Sequence, residues 1–315
     1  MDKIFIHEVV DELETLMDMV RWTFSRFNSS DLFYGHGTDN PWDESKYLVY
    51  SLLNLPFDLP DSFLSSKLTK TEKSLILEKV IKRINERVPV PYLTNRAFYR
   101  GHEFFVNEHV LIPRSPIGEI IEKKLDVDYA INPSNILDLC SGSGCIGILA
   151  ALKYPNAEVD LVDISEEAIK VCEENIHAYN LEDRVFPIIS DLYENLSHSK
   201  YDLILTNPPY VDQEDMDSLP EEFIHEPRLA LEAGADGLKL VKNILRNSLK
   251  HLNDDGLLIC EVGNSMVHML DQFPNTNFNW VEFEQGGHGV FIMKKDELSK
   301  FLELNKLYSE EHDGR

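Results

Sequence analysis

From about residue 134 onward, short β-like runs alternate with helical ones along the chain. The helical runs lie between most of the apolar stretches NILDL (135–139), AEVDLVD (157–163), RVFPII (184–189), YDLILTN (201–207) and GLLICEVG (256–263). Strands that alternate with helices pair in parallel, because each helix crosses over the sheet before the next strand begins. The alternation therefore predicts an α/β fold, with a mostly parallel sheet and helices on both faces.

The amino-terminal part of the chain has a different, helical texture. Apolar residues between Ile4 and Val20 recur at helical spacing, and so do those between Leu75 and Ile84 after the start signal LTKTE. This spacing is typical of helices that pack one face against a core. We predict a small helical domain over residues 1–95.

Two hairpins are predicted on either side of the alternating region. The runs AFYR and HEFFV flank Gly101, which indicates a β-hairpin that begins a linker over residues 96–133. The tail FNWVEFEQGGHGVFIMKK, residues 278–295, has two β-like runs around a glycine-rich turn. We expect this tail to form an antiparallel hairpin that closes the sheet of a domain over residues 134–315.

The charge balance limits the partners of the molecule. The 315 residues include 30 Lys and Arg against 55 Asp and Glu, a net charge of −25. Such a molecule repels polyphosphate and attracts basic partners, so DNA binding is not expected. The amino terminus is acidic, and the longest apolar run, residues 145–152, is too short to cross a bilayer. We expect a cytoplasmic protein that does not enter a membrane.

The cysteines indicate no special chemistry. There are four, and they form no CxxC pair: Cys140, Cys145, Cys172 and Cys260. We therefore expect neither a metal site nor a disulfide framework.

The first candidate site is the stretch ILDLCSGSGCIG at 136–147, where a predicted strand runs through glycines into a helix. Glycine lets a ligand approach backbone N–H groups without a Cβ in the way. Asp163 ends the next predicted strand, 163 − 144 = 19 residues past Gly144. An acid at that place accepts hydrogen bonds from ribose hydroxyls. A turn whose glycines serve tightness alone is the alternative.

Charges around this turn distinguish two kinds of cofactor. Asp138 opens the glycine motif, where it would repel a diphosphate, and no basic residue follows the turn until Lys153. An acid there suits a ligand with a positive centre, such as the amino group and sulfonium of S-adenosylmethionine. Asp191, in IISDLYE after the third strand, is placed to accept a hydrogen bond from an adenine amino group. A simple strand-end turn is the alternative for Asp191.

The motif TNPPY, residues 206–210, follows an apolar run at the carboxyl end of the fourth strand, the edge where open α/β sheets bind ligands. Its prolines form a stiff corner, because each fixes its own φ and Pro209 also restricts Pro208. The side-chain oxygen of Asn207 and the carbonyl of Pro208 then offer two acceptors to one planar NH₂ group. Tyr210 can stack on that group and favour a positive charge that develops on it. The alternative is a bare turn.

Together ILDLCSGSG, LVDIS, SDLYE and TNPPY resemble the class I S-adenosylmethionine-dependent methyltransferases that methylate planar amide or amino nitrogens. LIPRSPIGE at 111–119 and HEPRLAL at 225–231 are similar to the protein-glutamine N-methyltransferases of the HemK type. YGHGTDNPWDE at 34–44 and the RSP after Pro113 resemble the subgroup that modifies the third protein of the large ribosomal subunit. The resemblance runs over essentially the whole chain.

The resemblance implies a Rossmann-like catalytic domain, S-adenosyl-L-methionine as cofactor and a basic large-subunit ribosomal protein as substrate. An amide nitrogen is a poor nucleophile, so the site must orient it and favour the developing charge. The implied catalytic residues are Asn207, Pro208 and Tyr210. The implied substrate-binding residues are these three together with Pro209. The implied cofactor contacts are Asp138, Cys140, Ser141, Gly142, Ser143, Gly144, Asp163, Asp191 and Asn207. Cys140 stands where the family often has glycine, so its backbone must keep φ negative or accept strain.

The stretch after the corner is strongly acidic. Residues 212–236 carry nine acids against the single Arg228. A solvated surface loop is one interpretation, and an acidic rim that steers a basic substrate to the glutamine pocket is the other. The nine acids are Asp212, Glu214, Asp215, Asp217, Glu221, Glu222, Glu226, Glu232 and Asp236.

Three alternatives to this function stay open. The same chemistry on a translation release factor needs no change to the motifs. DNA adenine methyltransferases share the Asn-Pro-Pro-aromatic corner, although the net charge of −25 opposes a phosphate-binding surface. A non-catalytic protein that binds the cofactor for assembly is the third alternative.

Overall fold

The chain forms two compact units. The structure is a computed structural model that describes residues 7–196, 199–284 and 286–307. The helical unit contains the residues up to Phe98 with the short segments Val106–Glu108 and Pro220–His225. The sheet unit contains Tyr99–Phe105, His109–Leu219 and the residues from Glu226 onward. The predicted domain limits, with ends at residues 95 and 133, stay predictions.

The helical unit starts its first long helix with a side-chain cap. Thr15 Oγ1 accepts a hydrogen bond from Asp18 N at 3.1 Å, and the Asp18 carboxylate accepts from Thr15 N at 2.9 Å. This cap interrupts the single helical face expected between Ile4 and Val20, of which residues 4–6 lie outside the described residues. The α-helices of this unit are α1 (Leu16–Asn28), α2 (Pro41–Leu52), α3 (Lys70–Glu86) and α4 (Val90–Thr94). A π-helical turn over Glu8–Glu12 precedes the cap, and a 3₁₀ turn over Asp61–Ser65 lies between α2 and α3.

A buried ion network ties the segment Pro220–His225 into the helical unit. Arg83 is 1% exposed, and its guanidinium binds Glu44 at 2.6 Å and Glu222 at 2.9 Å. It also donates to the Phe33 carbonyl at 2.7 Å. A buried charge without partners is strongly destabilising. The ion pair between Glu222 and Arg83 therefore holds this segment against helices that are distant from it in sequence.

The predicted mostly parallel sheet and the antiparallel hairpin that closes it are confirmed. Strands β1 (Arg96–Tyr99) and β2 (His102–Phe105) form a two-stranded sheet. The large sheet has the order β5-β4-β3-β6-β7-β9-β8. Its first five strands are parallel, and β9 is antiparallel to both of its neighbours, β7 and β8. Its strands are β3 (Asn135–Leu139), β4 (Glu158–Asp163), β5 (Val185–Ile189), β6 (Tyr201–Thr206), β7 (Leu252–Glu261), β8 (Asn279–Trp280) and β9 (Val290–Lys294).

Helices connect these strands as the alternation predicts. The long crossovers are α7 (Cys145–Lys153) after β3, α8 (Glu166–Ala178) after β4 and α10 (Lys239–His251) before β7. The shorter helical pieces are α5 (Ile117–Glu119), the π-helical turn Ile120–Lys124, α6 (Leu125–Asp128), α9 (Gln213–Ser218), the 3₁₀ turns Glu221–His225, Arg228–Ala230 and Gly263–Ser265, and the carboxyl-terminal α11 (Met266–Gln272) and α12 (Lys295–Asn305).

The sheet is covered by an apolar layer on each face. Alternate residues of β3 and β6 enter opposite layers, as the two-residue period of a strand requires. Ile136 and Leu203 belong to one core cluster, while Leu137 and Ile204 belong to the other. Among the described helices, none combines the length and the apolar character that crossing a membrane needs.

Candidate functional site

A cavity of about 250 Å³ opens in the sheet unit beside the carboxyl ends of β3, β4, β5 and β6. This is the edge at which parallel sheets expose backbone N–H groups and strand-end side chains. Most of the predicted site residues line it: Cys140, Ser141, Gly142, Ser143, Asp163, Asp191, Asn207 and Pro209. Asp138, Gly144, Pro208 and Tyr210 do not line it.

The turn between β3 and α7 uses its glycines in two different ways. Gly142 has φ +55°, and a Cβ built on it would meet no atom within 4 Å, so its backbone is open to the cavity. Gly147 follows that turn, inside α7, and packs against the sheet, where a Cβ would come within 2.2 Å of Leu161. The turn is closed by the Gly144 N–H, which donates to Ser141 O at 2.8 Å. Of the two functions, cavity access therefore belongs to Gly142 and close packing to Gly147.

Cys140 accepts strain. Its φ is +59°, in the left-handed region where a Cβ costs about 1–2 kcal/mol. Of the two possibilities left by the sequence, a negative φ or a strained one, the structure has the second.

Asp163 lies in the cavity wall with both oxygens engaged by the backbone. Oδ2 accepts from Gly142 N at 2.9 Å and Oδ1 accepts from Ser165 N at 2.9 Å. Burial raises the pKa of this carboxyl, and the backbone hydrogen bonds oppose that rise. Ser165 caps α8 by accepting from Ala168 N at 3.2 Å, so the helix does not need Asp163 as its cap.

Asp138 lies behind the cavity rather than in it. Its side chain is fully buried, and Oδ2 accepts from Gly147 N at 2.8 Å. Oδ1 has no hydrogen-bond partner in the described structure. Burial raises the pKa of Asp138 to about 8. The carboxyl therefore joins the start of α7 to β3, and the expected contact between Asp138 and a positive ligand centre stays a prediction.

The wall beyond β5 is formed by Ser190, Asp191 and Leu192. Asp191 is exposed in the cavity mouth, while Ser190 is buried and its Oγ accepts from Asn195 N at 3.0 Å. Leu192 takes φ +47°, an uncommon conformation for a side chain of this size. The turn places the Asp191 carboxyl where the sequence expects it, and its contact with adenine stays a prediction.

The Asn-Pro-Pro-Tyr corner is anchored to the central strand. Thr206 Oγ1 donates to Leu139 O at 3.0 Å. Asn207 then lines the cavity with a side-chain Oδ1 that is shielded from solvent and has no hydrogen-bond partner in the described structure. Pro208 and Pro209 are buried. The corner thus presents a buried, unused acceptor at the cavity, which is a site for an N–H donor.

Tyr210 is held by a residue that the sequence does not single out. Its O–H donates to Glu261 Oε1 at 3.1 Å, and Ser115 Oγ donates to Glu261 Oε2 at 2.5 Å. Burial raises the pKa of Glu261 to about 7, while the hydrogen bonds from Ser115 and Tyr210 act in the opposite direction. The available signal was an acid at the end of the apolar run GLLICE, the same signal that drew attention to Asp138 and Asp163.

A second missed pair consists of Arg114, which lines the cavity, and Glu226, which lies behind it next to the lining residue Pro227. Arg114 binds Glu226 through two hydrogen bonds, Nη1 to Oε1 at 2.6 Å and Nη2 to Oε2 at 2.7 Å. Ile112 N donates to Glu226 Oε1 at 3.0 Å. The wall segments around Arg114 and Pro227 are joined by this buried carboxylate. The motifs LIPRSPIGE and HEPRLAL thus meet in space through their charged residues.

The acidic stretch 212–236 is not an acidic rim along its whole length. Glu222 and Glu226 are 2% and 4% exposed and bind Arg83 and Arg114. Neither interpretation, a solvated surface loop or an acidic rim, therefore holds for these two. Their burial follows from their partners, because paired arginines offset the loss of solvation. The acids of the stretch whose residues are exposed are Glu214, Asp217 and Glu221.

Comparisons with known proteins show which proteins this chain resembles. The family model described as the methyltransferase small domain matches residues 119–243. The ribosomal protein uL3 glutamine methyltransferase of Francisella tularensis is 41% identical over 96% of this chain and 96% of its own length. The protein of the same name from Neisseria meningitidis is 42% identical over 94% of this chain and 98% of its own. Among solved structures, a methyltransferase from Pyrococcus furiosus is 16% identical with a TM-score of 0.43, over 71% of this chain and 98% of that chain.

The two curated relatives span nearly the full chain, including the helical amino-terminal part and the cavity segments. Identity of this extent shows common family membership. The protein is a methyltransferase with a class I fold, and it belongs to the family of ribosomal protein uL3 glutamine methyltransferases.

Proposed function

We propose that this protein transfers a methyl group from S-adenosyl-L-methionine to the side-chain amide nitrogen of a glutamine in ribosomal protein uL3. One observation carries the proposal: Asn207 offers a buried side-chain oxygen without a partner in the described structure, at the wall of the cavity. A glutamine amide is a planar NH₂ group that supplies the missing donor. The names of the two curated relatives support the choice of uL3.

The residues of the cavity fit the proposed cofactor. The open backbone at Gly142 admits a ligand, and the carboxyls of Asp163 and Asp191 line the wall as hydrogen-bond acceptors. We assign Asp163 to the ribose hydroxyls and Asp191 to the adenine amino group. The apolar side chain of Ile164 also lines the wall. When bound, the cofactor supplies an electrophilic methyl group.

The protein's own residues act on the acceptor amide. Asn207 Oδ1 and the Pro208 carbonyl accept the two amide protons, which draws electron density toward nitrogen and fixes the plane of the group. The nitrogen would form a bond to the methyl carbon while the carbon–sulfur bond breaks, with that electron pair retained by sulfur as S-adenosylhomocysteine. The nitrogen then releases one proton to solvent, so the charge on it is transient. The Tyr210 ring favours that positive charge, and the buried prolines exclude water from it.

The substrate partner is expected to be basic, in keeping with the net charge of −25. This charge disfavours a DNA adenine substrate, because a duplex needs a phosphate-binding surface. A release factor as substrate is the less favoured alternative, because both curated relatives are named for uL3. A cytoplasmic location stays a prediction.

A substrate competition experiment tests the proposal. Purified protein is incubated with methyl-labelled S-adenosylmethionine and, in separate reactions, with uL3, a translation release factor or duplex DNA. We expect label in uL3 alone, and peptide mass spectrometry should place one methyl group on a glutamine. Label in the release factor or in DNA, with none in uL3, would contradict the proposed substrate. No label with any of the three would favour the non-catalytic alternative.

A further inference from the structure

Tyr210 is held by alternate residues of the segment that leaves β7. Its O–H donates to Glu261 at 3.1 Å. Its ring lies against the bare Cα of Gly263, where an added Cβ would come within 2.4 Å of ring carbon Cε2. Its carbonyl accepts from Ser265 Oγ at 2.7 Å. The tip, the ring and the backbone of Tyr210 are thus each fixed by one residue of this short segment.

Glu261 also reaches the cavity wall. Its Oε2 accepts from Ser115 Oγ at 2.5 Å, and Ser115 lines the cavity. Ser115 is itself fixed, because its Oγ accepts from Ile117 N at 3.2 Å and its carbonyl accepts from the Tyr99 O–H at 3.0 Å. One buried carboxylate therefore joins the loop before α5 to the corner that follows β6.

We propose that Glu261 is a positioning residue for methyl transfer: by accepting hydrogen bonds from Tyr210 and Ser115 together, its carboxylate holds the Tyr210 ring against the place of the acceptor amide. The inference rests on the proposed function, because that function puts an amide at the corner. An ionised carboxylate is suited to this task, since both oxygens accept and neither carries a proton. Accepting from the phenol also increases the electron density of the ring, which strengthens its attraction for positive charge.

The protonation state of Glu261 controls this arrangement. Burial raises the pKa of the carboxyl to about 7, and the hydrogen bonds from Ser115 and Tyr210 and the charge of Arg114 oppose that rise. The other titratable groups that interact with Glu261 are Tyr99 at the end of β1 and Cys260 on β7 itself. Once protonated, Glu261 must donate at one oxygen, so it no longer accepts from both hydroxyls. Tyr210 should therefore report the titration of Glu261.

The direct test is spectroscopic and needs no substrate. Tyrosines are labelled at Cζ with ¹³C, and the Tyr210 resonance is assigned by its loss in Tyr210→Phe. We expect this resonance to titrate with a midpoint near pH 7 in the wild type, and to show no such step in Glu261→Gln. The matched control is Glu173→Gln on the exposed side of α8, which should titrate as the wild type does. A Tyr210 chemical shift that does not change with pH in the wild type, or that still titrates in Glu261→Gln, would overturn the inference.

Kinetics test the same assignment with the proposed substrate. Glu261→Gln should lower kcat by roughly ten- to hundred-fold, the factor of one lost charge-assisted hydrogen bond, with little change in KM for uL3. If Glu261 acts through the phenol, the double variant Glu261→Gln/Tyr210→Phe should be no slower than Tyr210→Phe alone. Fully additive losses would contradict the inference.

Two further measurements separate the possible failures. Thermal unfolding of Glu261→Gln checks that it folds, and Ser115→Ala removes one of the two donors without touching Glu261. If Ser115→Ala also has a lower kcat at unchanged stability, the contribution of the hydrogen bond between Ser115 and Glu261 is supported. A wild-type kcat for Ser115→Ala would contradict that contribution and leave Tyr210 as the group that Glu261 positions. A wild type that is inactive on uL3 would contradict the proposed function, while the Tyr210 titration would still decide the role of Glu261.

Discussion

At the scale of single residues, Asn207 combines a place in the cavity wall with an unused, shielded acceptor in the described structure. Leaving such an acceptor without a donor costs about 1–3 kcal/mol. A ligand N–H that reaches Asn207 Oδ1 would recover this free energy. Asn207 therefore lowers the stability of the protein without substrate, and an amide that binds there restores it.

Asn207→Ala removes this acceptor. We expect kcat for methylation of uL3 to fall by about 10²–10³-fold, the usual effect of removing one preorganised group that stabilises developing charge. Transfer of labelled methyl groups to uL3 measures it. Asn132→Ala, at an exposed position before β3, is the matched control and should keep its activity. An Asn207→Ala enzyme within a few-fold of the wild type would remove Asn207 from the catalytic assignment.

Cys140 shows how a residue can depart from its family's pattern. At φ +59°, replacement by glycine relieves about 1–2 kcal/mol of strain but adds about 0.5–1 kcal/mol of backbone entropy lost on folding. We expect Cys140→Gly to leave the free energy of unfolding within about 1 kcal/mol of wild type. Cys140→Val should destabilise by more than about 2 kcal/mol, because a β-branched side chain suits this conformation least. Urea denaturation of both variants decides; equal stabilities would contradict the strain argument.

At the scale of elements, the glycines between β3 and the first turn of α7 serve two purposes, ligand access and helix-to-sheet packing, which the sequence motif does not distinguish. The glycines look alike in the sequence, yet a Cβ on Gly142 would meet no atom within 4 Å while one on Gly147 would meet Leu161 at 2.2 Å and Asp138 Cβ at 3.0 Å. One glycine serves ligand access and the other serves helix-to-sheet packing.

Replacing each of these glycines by alanine should therefore affect a different property, cofactor affinity in one case and packing in the other. Gly142→Ala should weaken S-adenosylmethionine binding, measured by calorimetry, because its Cβ extends into open space beside the cavity. Since Gly142 has φ +55°, the variant should also lose about 1 kcal/mol of unfolding free energy to backbone strain. Gly147→Ala should lower the free energy of unfolding by about 1 kcal/mol net, since overpacking of about 1–3 kcal/mol outweighs the gain in helix propensity. Its cofactor affinity should stay close to wild type. A loss of cofactor affinity in Gly147→Ala, with unchanged affinity in Gly142→Ala, would contradict this division.

The elements themselves were largely predictable from the sequence. The strands β3, β4 and β6 coincide with predicted apolar runs, and crossover helices follow from the parallel pairing. Strand β7 contains the predicted run from Gly256 but begins earlier, at Leu252. The break before α1 was missed because apolar spacing continues through Thr15, whereas the capping box with Asp18 decides where the helix starts. Local side-chain bonds can overrule periodicity in this way.

At the scale of the whole molecule, Glu261 links stability to pH. Its folded pKa of about 7 lies above the ordinary value of 4.5, so the folded state binds more protons than the unfolded state between those pH values. Stability must then fall as pH rises through this window. Relative to Glu261→Gln, the free energy of unfolding of the wild type should decrease by up to ~3 kcal/mol from below pH 4.5 to above pH 7. Urea denaturation of both proteins measures the difference, and a pH-independent difference would contradict the raised pKa.

The net charge of −25 makes a second prediction at this scale. Replacing the exposed Glu214, Asp217 and Glu221 by their amides should raise KM for uL3 several-fold at low salt, and the effect should shrink as salt screens the charges. The matched control replaces the exposed Glu173, Glu174 and Asp271 in the same way, which changes the net charge equally. An unchanged KM at low salt, or an equal rise in the control, would exclude local steering by this segment.

The sequence by itself determined the alternating α/β fold, the position of the cavity edge and most of its lining, because hydrophobic period and strand-end chemistry are local properties. The tertiary structure alone decided which acids are buried and which side chains bind each other. Glu261 meets Ser115, and Glu222 meets Arg83, across 146 and 139 positions of the chain. Such pairs depend on the close packing of distant segments, where burial and the need to compensate charge set partners that no short sequence window contains.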